Sequence, residues 1–241
     1  MDALILAAGY GTRLYPLTKN FPKPLLEIEK GKPVINYILE KLKELNINKI
    51  YVITNNRYYS NFIEWKNKSK FNVEIINDGT LNEEDKLGAV GDINFTIDNK
   101  KIKNPLLIIA GDNLFDFSLI DMYNYFNKTN KDVISLCESH NIEDIKRGSC
   151  VLIDNKNKVL DFEEKPQNPK SNLYGNCLYI YTPETLKLFK QYIKESPNKD
   201  QPGRFVQWLH KKKNILGYVN KGKFIDIGTH ESLERARKEF N

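Results

Sequence analysis

The chain has 241 residues, 40% hydrophobic and 28% charged, with 37 Lys and Arg against 31 Asp and Glu for a net charge of +6. That length buries a core without staples, and no apolar run approaches the roughly 18–20 residues of a bilayer-crossing helix, so no membrane partner is expected. The positive excess fits an anionic ligand or a lysine-rich solvated surface; no long basic block interleaved with aromatics is present, so nucleic acid is not an expected partner.

Residues 3–8 form an apolar run closed by glycine, the pattern of a buried strand, rather than a leader with a basic start. Residues 33–45 place Val34, Ile38, Leu42 and Leu45 at helical spacing, with Pro33 in the first turn. Strands follow at 49–54, 73–77, 106–110 and 132–137, separated by helices at 59–68, 88–98 and 119–127. Strands apolar on both faces that alternate with helices predict a mostly parallel sheet covered by helices.

Beyond residue 140 short strands are expected at 151–154, 159–163, 178–181 and 215–219. Helices are expected at 184–194, at 205–212 and from His230 onward. Lys211-Lys212-Lys213 reads as a solvated helix end. No Gly/Ser linker, low-complexity tract or repeat interrupts the chain, so residues 1–241 are read as one domain. Its halves, 1–140 and 141–241, share one central sheet. Cys137, Cys150 and Cys177 are widely spaced, without a CxxC, and read as buried thiols of a reducing, cytoplasmic setting.

The informative stretch is LILAAGYGTRLYPLTKNFPKPLLEI, residues 4–28. Gly9 and Gly11 sit just past the first strand, where open α/β sheets bind ligands, and glycine lets backbone N–H groups approach phosphate oxygens. Leu14 occupies the third glycine position of a dinucleotide fingerprint, and Thr12-Arg13 follows Gly11 where a Walker A loop has Lys-Ser/Thr, so neither motif is met. A lone G-x-G could be a tight turn. Two cations change that reading: Arg13 offers a fork suited to phosphate, and Lys23 is framed by Pro22 and Pro24, which restrict its backbone.

With those residues in place, the stretch resembles the signature of the sugar-1-phosphate nucleotidylyltransferases, L-A-G-G-x-G-[ST]-R-L-x-P-L-T-x-x-x-P-K-P, departing at Ala8. The resemblance implies a three-layer, Rossmann-like, GT-A-like α/β fold with a mixed, mostly parallel sheet. It implies that Leu6, Ala7, Ala8, Gly9, Gly11 and Thr12 wrap a nucleoside triphosphate, Arg13 holding the β- and γ-phosphates and Lys23 the α-phosphate.

Three further landmarks follow in the family's order. The strand 106–110 runs into Gly111-Asp112; Glu163-Glu164-Lys165-Pro166 matches an E-K-P element; Phe224-Ile225-Asp226-Ile227-Gly228-Thr229 matches an apolar-x-D-x-G-T string before the last helix. The resemblance implies Mg²⁺ on Asp112 and Asp226, carboxylates being the usual partners of that ion beside phosphates. Gly148, Glu164, Lys165 and Asn176 would then hold the sugar phosphate, while Thr229 or Ser232 caps the last helix.

Residues 77–91 should hold the base, with Asp78 and Gly88 as candidates. The glutamine of thymidylyl relatives is missing, so the base is left open. The sequence stops soon after its last helix, which predicts a short form without a C-terminal β-helix, and because relatives often pair, a homo-oligomer stays open. The implied reaction joins an NTP and a sugar 1-phosphate into an NDP-sugar with loss of pyrophosphate. The alternatives are a cytidylyltransferase for a small phospho-alcohol and a non-catalytic nucleotide-sugar-binding subunit.

Overall fold

The structure, a computed structural model, describes residues 1–240. In chain order the strands are β1 (Asp2–Leu6), β2 (Glu27–Glu29), β3 (Lys32–Pro33), β4 (Ile50–Thr54), β5 (Glu74–Asn77), β6 (Leu106–Ala110), β7 (Asn113–Phe115), β8 (Val133–Glu138), β9 (Ser149–Ile153), β10 (Val159–Glu164), β11 (Leu173–Tyr181), β12 (Leu216–Val219) and β13 (Phe224–Asp226). The helices are α1 (Val34–Leu42), α2 (Tyr59–Lys68), α3 (Ala89–Lys100), α4 (Ile120–Thr129), α5 (Ile142–Arg147), α6 (Pro183–Leu186), α7 (Leu188–Glu195), α8 (Pro202–Leu209) and α9 (His230–Glu239).

Seven strands form the central sheet in the order β12-β8-β11-β6-β1-β4-β5. Neighbours pair in parallel except β11, which runs antiparallel to both β6 and β8. Six strands therefore point the same way, and their carboxyl ends share one edge, where ligands of open α/β sheets bind. Strands from both halves of the chain enter this sheet.

The layers follow from side-chain alternation. Ala3, Ile5, Leu107 and Ile109 point to one face, packing with Ile38, Leu39, Phe62, Met122 and Phe126. Leu4, Leu106 and Ile108 point to the other, packing with Val90, Ile93, Phe189, Phe205 and Leu209. A third cluster lies off the sheet: Leu14, Leu114, Ile225, Ile227 and Leu233 pack together and bind the two-stranded β7–β13 ribbon to the first loop and to α9.

The structure departs from the sequence reading in instructive places. The helix expected over 33–45 is α1, with Pro33 as N-cap in extended backbone. The helix expected over 184–194 is broken into α6 and α7 at Lys187. Helix α8 begins at Pro202 and ends at Leu209 rather than spanning 205–212, because Pro202 supplies a helix-ready φ at the first turn. Strand β11 is longer than 178–181, and its register with β8 shifts between Gly175 and Tyr179, with Cys177 at φ 53. Short strands β7 and β13 and helix α5 lack an apolar period long enough to read. No helix among the described residues is long and apolar enough to cross a membrane.

One buried polar network joins the outer strands to α6. Asp132 is 0% exposed, and its carboxylate accepts from Thr182 N at 2.8 Å and Thr185 Oγ1 at 2.7 Å while pairing with Lys213 Nζ at 2.9 Å. Asp132→Ala strands these donors and should cost on the order of 3 kcal/mol of unfolding free energy in a urea titration. A loss under 1 kcal/mol would show that the network adds little.

Candidate active site

The loop after β1 turns at Gly11, which sits at φ 62 and ψ 30, a left-handed conformation that glycine adopts without a Cβ penalty. Leu6, Ala7, Ala8 and Gly9 lead into it, with Ala7 and Ala8 buried and Gly9 exposed. The loop is fixed from behind by side chains the sequence reading did not single out. Thr18 Oγ1 donates to the Gly11 carbonyl at 2.7 Å; the buried Tyr58 hydroxyl faces the Tyr10 and Thr18 carbonyls at 3.1 and 2.6 Å; Asn55 Nδ2 donates to the Ala8 carbonyl at 2.8 Å. Only Asn55, a polar residue at the carboxyl end of an apolar strand, carried a readable signal.

A one-turn helix, Thr12–Leu14, then presents Arg13, whose guanidinium lies over Gly228, just past β13. Lys23 begins a second such turn with Pro22 extended before it and Pro24 buried after it. Its ammonium pairs with Asp112, which links β6 to β7, and the two side chains are 13% and 23% exposed. Asp226 ends β13 in register with Asn113, the neighbour of Asp112, and lies close enough to Asp112 for the two charges to interact. Two cations and two carboxylates, distant in sequence, thus converge at the carboxyl edge of the sheet.

Their electrostatics follow from that crowding. Burial disfavours the Lys23 ammonium, but Asp112 and Asp226 outweigh it and hold its pKa above the usual lysine value. Asp226 is pushed up, first by surrounding protein and then by the charge of Asp112, against the pull of Lys23 and Arg13. The residue still reaches solvent, which tempers the desolvation. Thr229 and Ser232 form a capping box at α9, the role expected of them.

On the other flank Gly148 caps α5, and its carbonyl accepts from Lys165 N at 2.8 Å. Lys165 is exposed, in left-handed backbone at φ 51, and so turns outward at the end of β10. Glu164 points inward against α8: a Cβ on Gly203 would collide with its carboxylate, so only glycine fits there. Gln207 Oε1 accepts from Glu164 N at 3.2 Å and from Arg204 Nη1 at 3.2 Å. Asn176 is 4% exposed at the β11 irregularity, the kind of bulge that re-aims a side chain. Its carbonyl accepts from Asn113 Nδ2 at 2.5 Å, its Nδ2 contacts Cys137 Sγ at 3.2 Å, and its Oδ1 is buried without a partner.

Asp78 and Gly88 lie in the connection from β5 to α3, apart from the ion cluster. Asp78 Oδ1 accepts from Thr80 N at 2.7 Å, and Thr80 Oγ1 meets the Tyr10 hydroxyl at 3.0 Å, which ties this segment to the glycine loop. Asp92, in the first turn of α3 and 6% exposed, has its Oδ1 buried without a partner, and burial followed by the charge of Asp78 pushes it well above the usual carboxylate range. Sequence reading missed it because a polar residue in a first helical turn looks solvated.

Burial pushes the Glu164 carboxyl up to about 7, with Lys165 and Arg204 pulling the other way. A raised carboxyl keeps its proton in the folded state after the unfolded chain has lost it, so stability falls as pH rises from the ordinary 4.5 through about 7. Glu164→Gln removes the charge that must be buried. In urea titrations the variant should match the parent near pH 4 and exceed it at pH 8; a difference independent of pH would mean the carboxylate is well solvated.

Comparisons with known proteins identify one family across the chain. The family described as Nucleotidyl transferase matches residues 2–241. A bifunctional protein GlmU of Methanococcus aeolicus is 32% identical over 230 residues, covering 95% of this chain and 51% of its own length. A glucose-1-phosphate adenylyltransferase of Lachnospira eligens is 27% identical and is covered over 60% of its length. The chain thus spans about half the length of the first relatives it matches. Among solved structures, a Bacillus anthracis protein assigned as a glucose-1-phosphate thymidylyltransferase, crystallised with sucrose, superposes with a TM-score of 0.83 at 27% identity, over 99% of this chain and 94% of that one. The loop, the ion cluster and the whole-chain match together establish that the chain belongs to the nucleotidyl transferase family.

Proposed function

We propose that the chain transfers a nucleotidyl group from a nucleoside triphosphate to a sugar 1-phosphate, forming an NDP-sugar and pyrophosphate. The observation that carries this is the meeting of Arg13, Lys23, Asp112 and Asp226 beside a glycine loop at the carboxyl edge of the sheet. The relatives' names supply the acceptor class: adenylyl- and thymidylyltransferases named for glucose 1-phosphate.

The residues present fit Mg²⁺. Asp112 and Asp226 come together at one edge of the sheet, and after burial it is the charge of Asp112 that pushes the Asp226 carboxyl up, as expected of hard oxygen ligands facing one point. They would hold the ion, which when bound would neutralise charge on phosphate oxygens.

The remaining chemistry falls to the chain. An oxygen of the acceptor phosphate attacks the α-phosphorus, the bond to the bridging oxygen of the β-phosphate breaks, and pyrophosphate leaves with that electron pair. The attacking oxygen is already anionic, so no side chain need remove a proton, and positioning and charge carry the rate. Lys23 would stabilise charge on the α-phosphate, Arg13 would steady the leaving pyrophosphate, and backbone N–H groups around Gly9 and Gly11 would cradle the chain of phosphates. Gly148, Glu164, Lys165 and Asn176 would receive the acceptor.

Pyrophosphate release measured across the common NTPs and a panel of sugar 1-phosphates, with phosphocholine included, tests the proposal. A signal with a sugar 1-phosphate supports it; a signal with phosphocholine alone, or none at all, overturns it. Lys23→Ala should lower kcat at least about 100-fold with a smaller change in KM for the nucleotide, because the ammonium acts on transition-state charge. EDTA should abolish turnover, added Mg²⁺ should restore it, and Asp112→Asn should move the Mg²⁺ titration to higher concentration. An unchanged titration would put the ion elsewhere.

A further inference from the structure

We infer that Lys86 and Asp200 are positioning residues for the acceptor side, acting through residues 199–207, which join the base-side loop to Glu164. This rests on the proposed function, since it assigns the two flanks of the site to nucleotide and acceptor.

One end of the connection is a set of contacts with the loop before α3 and the first turn of that helix. Lys86 Nζ pairs with Asp200 Oδ2 at 2.9 Å, and Val90 N donates to the Lys199 carbonyl at 2.8 Å. Gly88 is pressed against the same carbonyl: a Cβ there would stand 2.7 Å from it. A groove of about 570 Å³ opens between these two loops, and beneath it Val90 and Ile93 of α3 share a buried apolar cluster with Phe205 and Leu209 of α8.

The other end is helix α8, which follows directly. Gly203 in its first turn backs the Glu164 carboxylate, and Gln207 one turn later holds Glu164 N. The aromatic cluster of Phe189, Phe205 and Trp208 makes α8 stiff: Phe189 and Phe205 stack at 3.9 Å, and Phe205 and Trp208 at 5.8 Å. A displacement of Lys199 and Asp200 is therefore carried into α8 rather than absorbed. Neither Lys86 nor Asp200 touches Glu164, but both set where its support stands. Binding on one flank then favours binding on the other, and the linkage is reciprocal.

Spatial continuity becomes coupling only when a change at one end is felt at the other. The exposed ion pair adds little by itself, so the test reverses charge instead of deleting it. Asp200→Lys sets two cations together, Lys86→Glu sets two carboxylates together, and the double variant restores an opposite pair. Each single variant should raise the KM for the sugar 1-phosphate about three- to tenfold, and the double variant should recover at least half of that loss. Hydrogen–deuterium exchange gives a readout independent of turnover: each single variant should speed exchange at 162–165 as well as at 86–90, and the double variant should slow both again. Exchange at 162–165 unchanged in the single variants would overturn the inference, as would an unmoved acceptor KM in an enzyme that turns over. Absence of turnover with every acceptor in the unmodified chain would sink the functional reading instead, leaving the exchange result to decide this one.

Discussion

The contact on which the site depends is the ion pair between Lys23 and Asp112, with the Asp226 carboxyl beside it. Placing three charged groups together in a partly buried edge is costly unless each is paired. The fold meets that cost by holding the pieces on separate rigid supports. Lys23 sits between two prolines, Asp112 stands where β6 passes into β7, and Asp226 is held by the β13–β7 ribbon. The apolar cluster of Leu14, Leu114, Ile225 and Ile227 locks ribbon and loop together beneath the charges, so their spacing is set by packing rather than by their own attraction.

The second half of the chain uses the same sheet differently. β11 enters antiparallel between two parallel strands, and its irregular register at Gly175–Tyr179 brings Asn176 to Asn113, beside Asp112. Residues proposed to face the phosphates and the acceptor are thereby joined through one carbonyl contact at the sheet's edge. Glu164, by contrast, is braced by α8 from outside the sheet. Its carboxylate stays within a poorly solvated corner, where a hydroxyl donor from a ligand would meet a strong acceptor.

Legibility in the sequence tracked the length of the physical signal. Fully buried strands such as β1 and β6 carry continuous apolar runs, and the glycine-proline frame around Arg13 and Lys23 is local, so both could be read directly. What could not be read depends on contacts between distant residues. Tyr58 beneath the loop, Asp92 against Asp78, and Gly203 behind Glu164 each make sense only once separate segments meet. The split between α6 and α7 was invisible for another reason: the apolar period continues across Lys187, whose own backbone stays right-handed helical.

The two flanks differ in how they are held, and that difference has a chemical logic. Around the glycine loop the supports are short and buried: Thr18 to Gly11 at 2.7 Å and Tyr58 to Thr18 at 2.6 Å. Around Glu164 they are longer, 3.2 Å to Gln207, and Lys165 is exposed at the end of a strand. Charge stabilisation in a transition state demands donors already in place, because any reorganisation is subtracted from the rate. Recognition of an acceptor demands less, since its hydroxyls can be met by small shifts. On the proposed assignment, a phosphate side built into the parallel strands through short buried bonds and an acceptor side braced by α8 through longer ones divide those two demands.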